Sequence, residues 1–134
     1  MLNFPSISFP GNCDEAITYY KEALGAEVKT IIHNGSDPSD PNTDSSLPPN
    51  FVTYSEVLLF GTPIMMTDGA KMKMSCDNFS FTLSLDTEEE VTSVYNKLAD
   101  GGEIVDALSA DFGFLMGCVN DRYGITWTVS IYFE

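Results

Sequence analysis

The sequence predicts an α+β fold in which two βαβββ repeats form curved mixed sheets around a cup. Two observations support this prediction. Strand-like and helix-like segments follow the same order in both halves of the chain. The helical segments also match each other, since Ile17 and Leu24 of the first correspond to Val91 and Leu98 of the second. Neither predicted sheet has a helix for its second face, so we expect the sheets to surround a cavity or to pair with another chain.

Length and composition indicate one globular domain, 1–134. The chain has 134 residues, of which 43% are hydrophobic, and a chain of this length buries roughly two-thirds of its unfolded surface. We divide the domain into repeat 1 (1–68) and repeat 2 (78–134). Residues 34–50 are rich in Asp, Ser and Pro, so they bury little apolar surface and are predicted to form a mobile loop.

Repeat 1 begins with a predicted strand, 4–9, in which apolar and serine residues alternate. A helix follows, with Asn12 as its N-cap and Glu15 completing a capping box. Gly25 ends this helix. Three further strands are predicted over residues 27–33, 51–60 and 63–67.

Repeat 2 begins with a predicted strand, 79–85, that shows the same alternation. Asp86 or Thr87 caps the following helix, whose first turn holds three glutamates that the helix dipole favours. Gly101 and Gly102 end the helix. Three further strands are predicted over residues 103–107, 111–120 and 125–133.

The charge balance excludes some partners. Six Lys and Arg residues face twenty Asp and Glu residues, which gives a formal net charge of −14. A nucleic-acid partner needs clustered cations, which the sequence does not offer, and an anionic membrane surface is disfavoured for the same reason.

The three cysteines have wide spacings and form no CxxC, which is typical of free thiols in a reducing compartment. No signal peptide or membrane-spanning stretch is visible, so we expect a cytoplasmic protein.

Four segments resemble one known family. They read ISFPGNCDEAITYYKEALGAEV, LLFGTPIMMTD, KLADGGEIV and GFLMGCVNDRYGITW. Together they resemble the PhnB-like branch of the vicinal oxygen chelate superfamily, which is also called the glyoxalase/bleomycin-resistance superfamily. The resemblance covers nearly the whole chain outside residues 34–50, and it implies the glyoxalase/bleomycin-resistance fold and a homodimer.

The resemblance also implies where a metal ion would bind. Metalloenzymes of this superfamily place four His, Glu or Gln ligands on the first and last strands of the repeats. These positions correspond to Phe4 or Pro5, Met65, Ser80 and Thr128 in this chain. None of these side chains belongs to the carboxylate, imidazole or thiolate donors that divalent metals need. We therefore expect no metal and no other cofactor.

Strand alternation predicts a wall of small polar side chains facing the cup. Hydroxyl groups both donate and accept hydrogen bonds, so the wall suits a neutral or cationic organic ligand whose identity the sequence does not give. The alternative is that the wall holds only water or packs against the loop. The predicted ligand-binding residues are Ser6, Ser8, Met65, Ser80, Thr82, Thr126 and Thr128.

Other catalytic chemistry has little support in the sequence. A Ser-His-Asp triad needs a histidine base, and the only histidine, His33, borders the predicted loop and is interpreted as a solvated loop residue. Cys13 lies at a helix N-terminus, but a packed thiol is the better interpretation. Asp68 and Asp121 are assigned to turns. No catalytic residue is assigned, and whether the protein is an enzyme stays open.

The predicted function is metal-free binding of a small molecule. Three alternatives remain. One is a metal-dependent lyase or dioxygenase of the same superfamily. Another is a bleomycin-type protein that sequesters cationic drugs, which the charge of −14 would attract. The third is a structural or interaction module whose cup is filled by side chains.

Overall fold

The structure, a computed structural model, describes residues 3–37, 39–72 and 78–132. Its helices and strands follow the order βαβββ twice, which confirms the predicted fold class. Cys76, and Phe133 at the end of the last predicted strand, lie outside the described residues. The elements are β1 (Ser6–Phe9), α1 (Cys13–Leu24), β2 (Glu27–His33), β3 (Val52–Leu59), β4 (Thr62–Asp68), β5 (Phe81–Leu85), α2 (Glu88–Ala99), β6 (Glu103–Ser109), β7 (Met116–Asn120) and β8 (Thr126–Ile131).

The chain divides into two compact units, Met1–Lys73 and Met74–Glu134, and each contains one four-stranded sheet. The strand order is β1-β4-β3-β2 in the first unit and β5-β8-β7-β6 in the second. In both sheets the first strand runs parallel to the last, and the other pairs are antiparallel. Corresponding strands therefore hold corresponding places in the two sheets.

The strand register shows the same correspondence residue by residue. Ser8 lies opposite Thr67 in the first sheet, and Ser84 lies opposite Ser130 in the second. Thr67 and Ser130 each lie six residues after a turn glycine, Gly61 and Gly124, where φ is +83° and +87°. Side chains other than glycine rarely adopt this conformation, so the repeat extends to the turns.

One face of each sheet packs against the helix of its own unit. Strand residues alternate between the two faces, and the buried apolar residues of β1 and β5 lie on the same face as those of the neighbouring strands. In the first unit this core includes Ile7, Phe9, Ile17, Tyr20, Val57, Ile64 and Met66. In the second unit it includes Leu83, Leu85, Val91, Leu98, Val119, Trp127 and Val129. We call the opposite face of each sheet its helix-distal face.

Several strands are shorter than predicted. β1 begins at Ser6 because Pro5 has no N–H to donate, although the Pro5 carbonyl still accepts a hydrogen bond from the Met65 amide at 3.0 Å. β7 begins at Met116 because the preceding residues form a turn in which Gly113 has φ of +90°.

The N-terminus of α1 differs from the prediction. Asn12 makes no side-chain capping hydrogen bond. Instead the Asp68 carboxylate accepts the Cys13 amide at 2.9 Å and the Val52 amide at 3.0 Å. The assignment of Asp68 to a turn is therefore wrong, because it ends β4 as a buried acceptor that joins the start of α1 to the start of β3.

Two other helix ends follow the prediction, whereas α2 ends at Ala99 with Asp100 as its C-cap and Gly101 one residue further on. The Thr87 hydroxyl accepts the Glu90 amide at 3.1 Å, so Thr87 rather than Asp86 caps α2. α1 ends at Gly25, whose φ of +67° is left-handed. Within the described part of the chain, no helix is long and apolar enough to cross a bilayer.

In the loop over residues 34–37 and 39–50, one buried side chain bonds to the backbone of two later loop residues. The Asn34 side-chain amide donates to the Asp44 carbonyl at 2.7 Å and to the Leu47 carbonyl at 3.3 Å. Its oxygen accepts the Asp44 amide at 2.9 Å. The structure thus shows how the loop closes, while its mobility stays a prediction.

Candidate functional site

The helix-distal face of the first sheet contains a row of four neighbouring residues, one from each strand. Ser6 lies opposite Met65, Met65 opposite Glu56, and Glu56 opposite Thr30. Residues opposite each other in a sheet point to the same face. The row therefore presents two hydroxyls, a thioether and a carboxylate on one surface.

The second sheet contains the equivalent row. Thr82 lies opposite Thr128, Thr128 opposite Cys118, and Cys118 opposite Asp106. By strand position, Thr128 corresponds to Met65 of the first sheet. The two rows therefore occupy equivalent positions in the two sheets but consist of different side chains.

The structure brings the predicted ligand-binding residues together within each sheet. Those of the first sheet lie on the adjacent strands β1 and β4, and those of the second on or next to β5 and on β8. Ser6, Ser8 and Thr82 are exposed, Met65, Ser80 and Thr128 are half-buried, and Thr126 is buried.

In the second sheet, some of these hydroxyls already bond to each other. The Ser80 and Thr128 hydroxyl oxygens are 3.1 Å apart, and Thr128 donates to the Cys118 sulfur at 3.9 Å. When Thr128 donates its hydroxyl proton to the sulfur, Ser80 donates to the Thr128 oxygen. The Ser80 oxygen can then accept a hydrogen bond from a ligand. Thr126 donates to the Asn120 side-chain oxygen. The arrangement therefore presents an acceptor at Ser80.

Sequence reasoning missed one charged side chain on this surface, Glu56. Its side chain is only 17% exposed, and its carboxylate lies 3.4 Å from the ammonium of Lys29, which is 63% exposed. The signal was present, because Glu56 alternates with the buried Ser55 and Val57 and therefore shares a face with Met65. Glu56 is a carboxylate within the surface formed by the predicted residues.

The side chains at the positions that the resemblance implies for metal ligands do not fit a divalent metal. Ser80 and Thr128 offer neutral hydroxyls that bond to each other. Met65 offers a thioether beside the single carboxylate of Glu56. Over residues 3–37, 39–72 and 78–132, no group of three or more His, Cys, Asp or Glu side chains could hold a metal ion. The donor chemistry therefore gives no set of three or four ligands.

His33 is not a solvated loop residue, contrary to the prediction. It ends β2, and its Nε2 lies 2.7 Å and 2.9 Å from the two carboxylate oxygens of Asp14. Both side chains are partly buried. The pair joins the end of β2 to the first turn of α1.

Cys13 is fully buried at the start of α1. Burial raises the pKa of its thiol well above the ordinary value, and the nearby carboxylates of Asp68 and Asp14 raise it further. Only the thiolate is an effective nucleophile. Its burial and raised thiol pKa favour a packed residue over a nucleophile, in agreement with the sequence interpretation.

Asp121 lies at the predicted turn and is buried there. One of its carboxylate oxygens accepts the backbone amides of Tyr123 at 2.8 Å and Ile125 at 3.1 Å. The other accepts the indole N–H of Trp127 at 2.8 Å. These bonds give Asp121 a structural role in holding the turn and the buried indole.

A separate groove of about 470 Å³ lies between α1 and β2 in the first unit. It contains none of the predicted ligand-binding residues. It is lined by Asp14, Glu15, Ile17, Thr18, Lys21, Val28 and Ile31.

Comparison with known proteins identifies close relatives of the whole chain. A family model described as 3-demethylubiquinone-9 3-methyltransferase matches residues 2–130. Protein YjdN of Escherichia coli (strain K12) is 33% identical over 138 residues, which cover 95% of this chain and 92% of that protein.

Solved structures share the fold. A putative 3-demethylubiquinone-9 3-methyltransferase, PhnB protein, from Bacillus cereus has a TM-score of 0.81 at 24% identity, covering 98% of this chain and 100% of that one. The fosfomycin resistance protein FosX of Listeria monocytogenes, in complex with Mn(II) and sulfate, has a TM-score of 0.68 at 11% identity. That match covers 99% of this chain and 93% of FosX. These likenesses confirm the glyoxalase/bleomycin-resistance fold.

Proposed function

This chain belongs to the PhnB-like family, whose model is described as 3-demethylubiquinone-9 3-methyltransferase, and we propose that it binds a small organic molecule without a metal ion. The proposed binding surface is the helix-distal face of each sheet. The proposal assigns no reaction. It does not include methyl transfer, because no methyl-donor motif visible in the sequence supports that description.

The observation that supports this proposal is the chemistry at the superfamily's metal positions. Where those enzymes have His, Glu or Gln, Ser80 and Thr128 form a hydroxyl pair 3.1 Å apart. A pair of hydroxyls recognises an organic ligand through hydrogen bonds that it both donates and accepts. Met65 adds an unbranched thioether, which adapts to apolar ligand parts of different shapes.

The chemistry at these positions separates a metal-free binding protein from a metal-dependent lyase or dioxygenase. FosX of Listeria monocytogenes is a structural relative that was solved with Mn(II). In this chain the positions that the family resemblance implies for metal ligands offer hydroxyl and thioether groups, which are poor ligands for a hard divalent cation. The shared fold therefore does not extend to a shared metal site in this proposal.

A second candidate function is the sequestration of cationic drugs. The net charge of −14 favours it, because a strongly acidic protein raises the local concentration of cations. Expression of the protein should then protect cells from such a drug, and the affinity should weaken as salt increases. Protection without salt-sensitive binding would contradict this candidate.

We also propose that the chain is a homodimer in the cytoplasm. β2 and β6 are sheet edges that expose apolar side chains: Ile32 is 48% exposed, Ile104 60% and Val105 50%. Exposed apolar edges are ready to pair with another chain. Light scattering should give twice the monomer mass of 14.7 kDa, and a mass of 14.7 kDa at micromolar concentration would contradict the dimer.

The test of small-molecule binding is a fragment screen followed by NMR on ¹⁵N-labelled protein. We expect hits to shift amide resonances on the helix-distal faces, around Ser6, Thr82 and Thr128. Replacing Thr128 by Val keeps its shape and removes its hydroxyl, and it should weaken hits on the second sheet. Thr92→Val, at an exposed position on α2, is the matched control. Hits that map away from these faces, or hits on the second sheet that Thr128→Val leaves unchanged, would contradict the proposal.

A further inference from the structure

The side chains of Glu56 and its partner Lys29 differ in their exposure to solvent. The Glu56 side chain is 17% exposed and lies between Met65 on β4 and Thr30 on β2. The Lys29 side chain is 63% exposed. The carboxylate is therefore fixed in the sheet, while the ammonium reaches it from solvent.

A β-bulge explains how Lys29 reaches this surface. The register of β2 against β3 shifts between Val28 and Thr30, which leaves Lys29 as the extra residue. A bulge changes the direction of a side chain locally and often occurs beside functional sites. Within the described strands, Lys29 is the one Lys or Arg residue. The exposed Lys29 ammonium therefore balances the half-buried Glu56 carboxylate on this face.

The ion pair is easily exchanged. An ion pair with an exposed partner contributes little to stability, because water screens it and a long lysine side chain loses entropy when held. A half-buried carboxylate, however, needs a counter-charge or hydrogen-bond donors. Loss of Lys29 from Glu56 is thus inexpensive only when another cation takes its place.

We propose that Glu56 is the binding subsite for a ligand's ammonium group and that Lys29 is the counter-ion that the ligand displaces. This inference rests on the proposed function and specifies the class of ligand. The ligand class is an alkylammonium compound. Its ammonium donates to the Glu56 carboxylate, its carbon chain contacts the Met65 thioether, and the hydroxyls of Ser6 and Thr30 lie in the same row.

The charges on this surface favour a cationic over an anionic ligand. The Glu56 carboxylate lies 3.4 Å from the Lys29 ammonium. An anion bound to that ammonium would therefore lie close to the carboxylate, which would repel it. The net charge of −14 adds to this preference.

The experiment compares two probes of similar shape, hexylammonium and hexan-1-ol, titrated into ¹⁵N-labelled full-length protein. Hexylammonium should shift the amide resonances of residues 6, 30, 56 and 65. Glu56→Gln should weaken hexylammonium binding by roughly ten-fold or more, as expected for a lost charge-assisted hydrogen bond, and leave hexan-1-ol unaffected. Lys29→Met should tighten hexylammonium binding, because no resident cation remains to be displaced.

Glu22→Gln is the matched control, since it removes the same charge from an exposed position on α1. It should change neither affinity. Unchanged hexylammonium affinity in Glu56→Gln, or shifts confined to other surfaces, would overturn the inference. If Glu56→Gln fails to fold, Lys29→Met decides, because unchanged or weaker binding in that variant also overturns it.

The two proposals fail in distinguishable ways. Binding of hexylammonium to the helix-distal faces with an affinity that Glu56→Gln leaves unchanged supports small-molecule binding and overturns the ammonium subsite. If neither probe shifts any resonance on these faces, both proposals are contradicted.

Discussion

Removal of the Asp68 carboxylate should destabilise the protein more than any other single acidic substitution on a strand. Asp68 is 7% exposed and accepts two backbone amides, those of Cys13 and Val52. A hydrogen bond to a charged group contributes about 1.5–3 kcal/mol. Asp68→Ala loses two such bonds and leaves two amides without this acceptor, so we expect a loss of about 3–6 kcal/mol. That is a large fraction of the roughly 5–15 kcal/mol that stabilises a typical domain.

Urea unfolding followed by far-UV circular dichroism measures this loss. Asp68→Asn keeps one acceptor oxygen and should lose about half as much as Asp68→Ala. Asp111→Ala, at an exposed turn position, is the control and should change stability by less than about 0.5 kcal/mol. A loss below about 1 kcal/mol in Asp68→Ala would refute the role assigned to this carboxylate.

Three further predictions concern single contacts. Gly117→Ala places its new Cβ 2.6 Å from Tyr95 Cε2, so the free energy of unfolding in urea should fall by about 1–3 kcal/mol; an unchanged value would contradict the close packing. Cys13 should resist iodoacetamide at pH 8 until the protein unfolds, as measured by peptide mass spectrometry, because its thiol pKa is raised; labelling of folded protein would contradict this. Ser46 lowers the pKa of Asp44 through hydrogen bonds, so the native contact is complete above the ordinary carboxyl pKa and is lost as pH falls through the lowered value. Ser46→Ala should raise the pKa of Asp44, measured by carboxyl ¹³C NMR, and an unchanged value would refute the contact.

Patterns local in sequence predicted most of the fold. The alternation around Ser6 and Ser8, and its repetition in 79–85, predicted which residues face the helix. The glycine at position 25 marked the end of α1 because its backbone is left-handed there. The same kind of local signal gave Thr87 as one of two candidate caps. These signals depend on backbone conformation and period, which a short segment largely determines by itself.

The errors came from contacts between distant residues. Asn12 has the right type and spacing for an N-cap, yet its role is taken by Asp68, which is 55 residues away from Cys13 in the chain. His33 looked like a loop residue because its partner Asp14 lies 19 residues earlier, on α1. No local pattern records which side chain the tertiary fold brings to a helix start.

At the candidate site too, local patterns predicted which way side chains point, whereas contacts between distant residues were not predicted. Alternation placed the hydroxyl residues on one face, but the pairing of Ser80 with Thr128 depends on the register between β5 and β8. The ion pair of Glu56 with Lys29 depends on a bulge, which interrupts the period that sequence reasoning assumes. Alternation alone could have identified Glu56 but not its partner.

Titration calorimetry of the purified, untagged protein with Ni²⁺, Zn²⁺ and Mn²⁺ tests the central claim most directly. The claim is that hydroxyl and thioether groups at Ser80, Thr128 and Met65 have replaced the metal ligands of the superfamily. We predict no stoichiometric binding of any of the three ions at micromolar protein concentration. Stoichiometric binding of one of them with a sub-micromolar dissociation constant would contradict the claim.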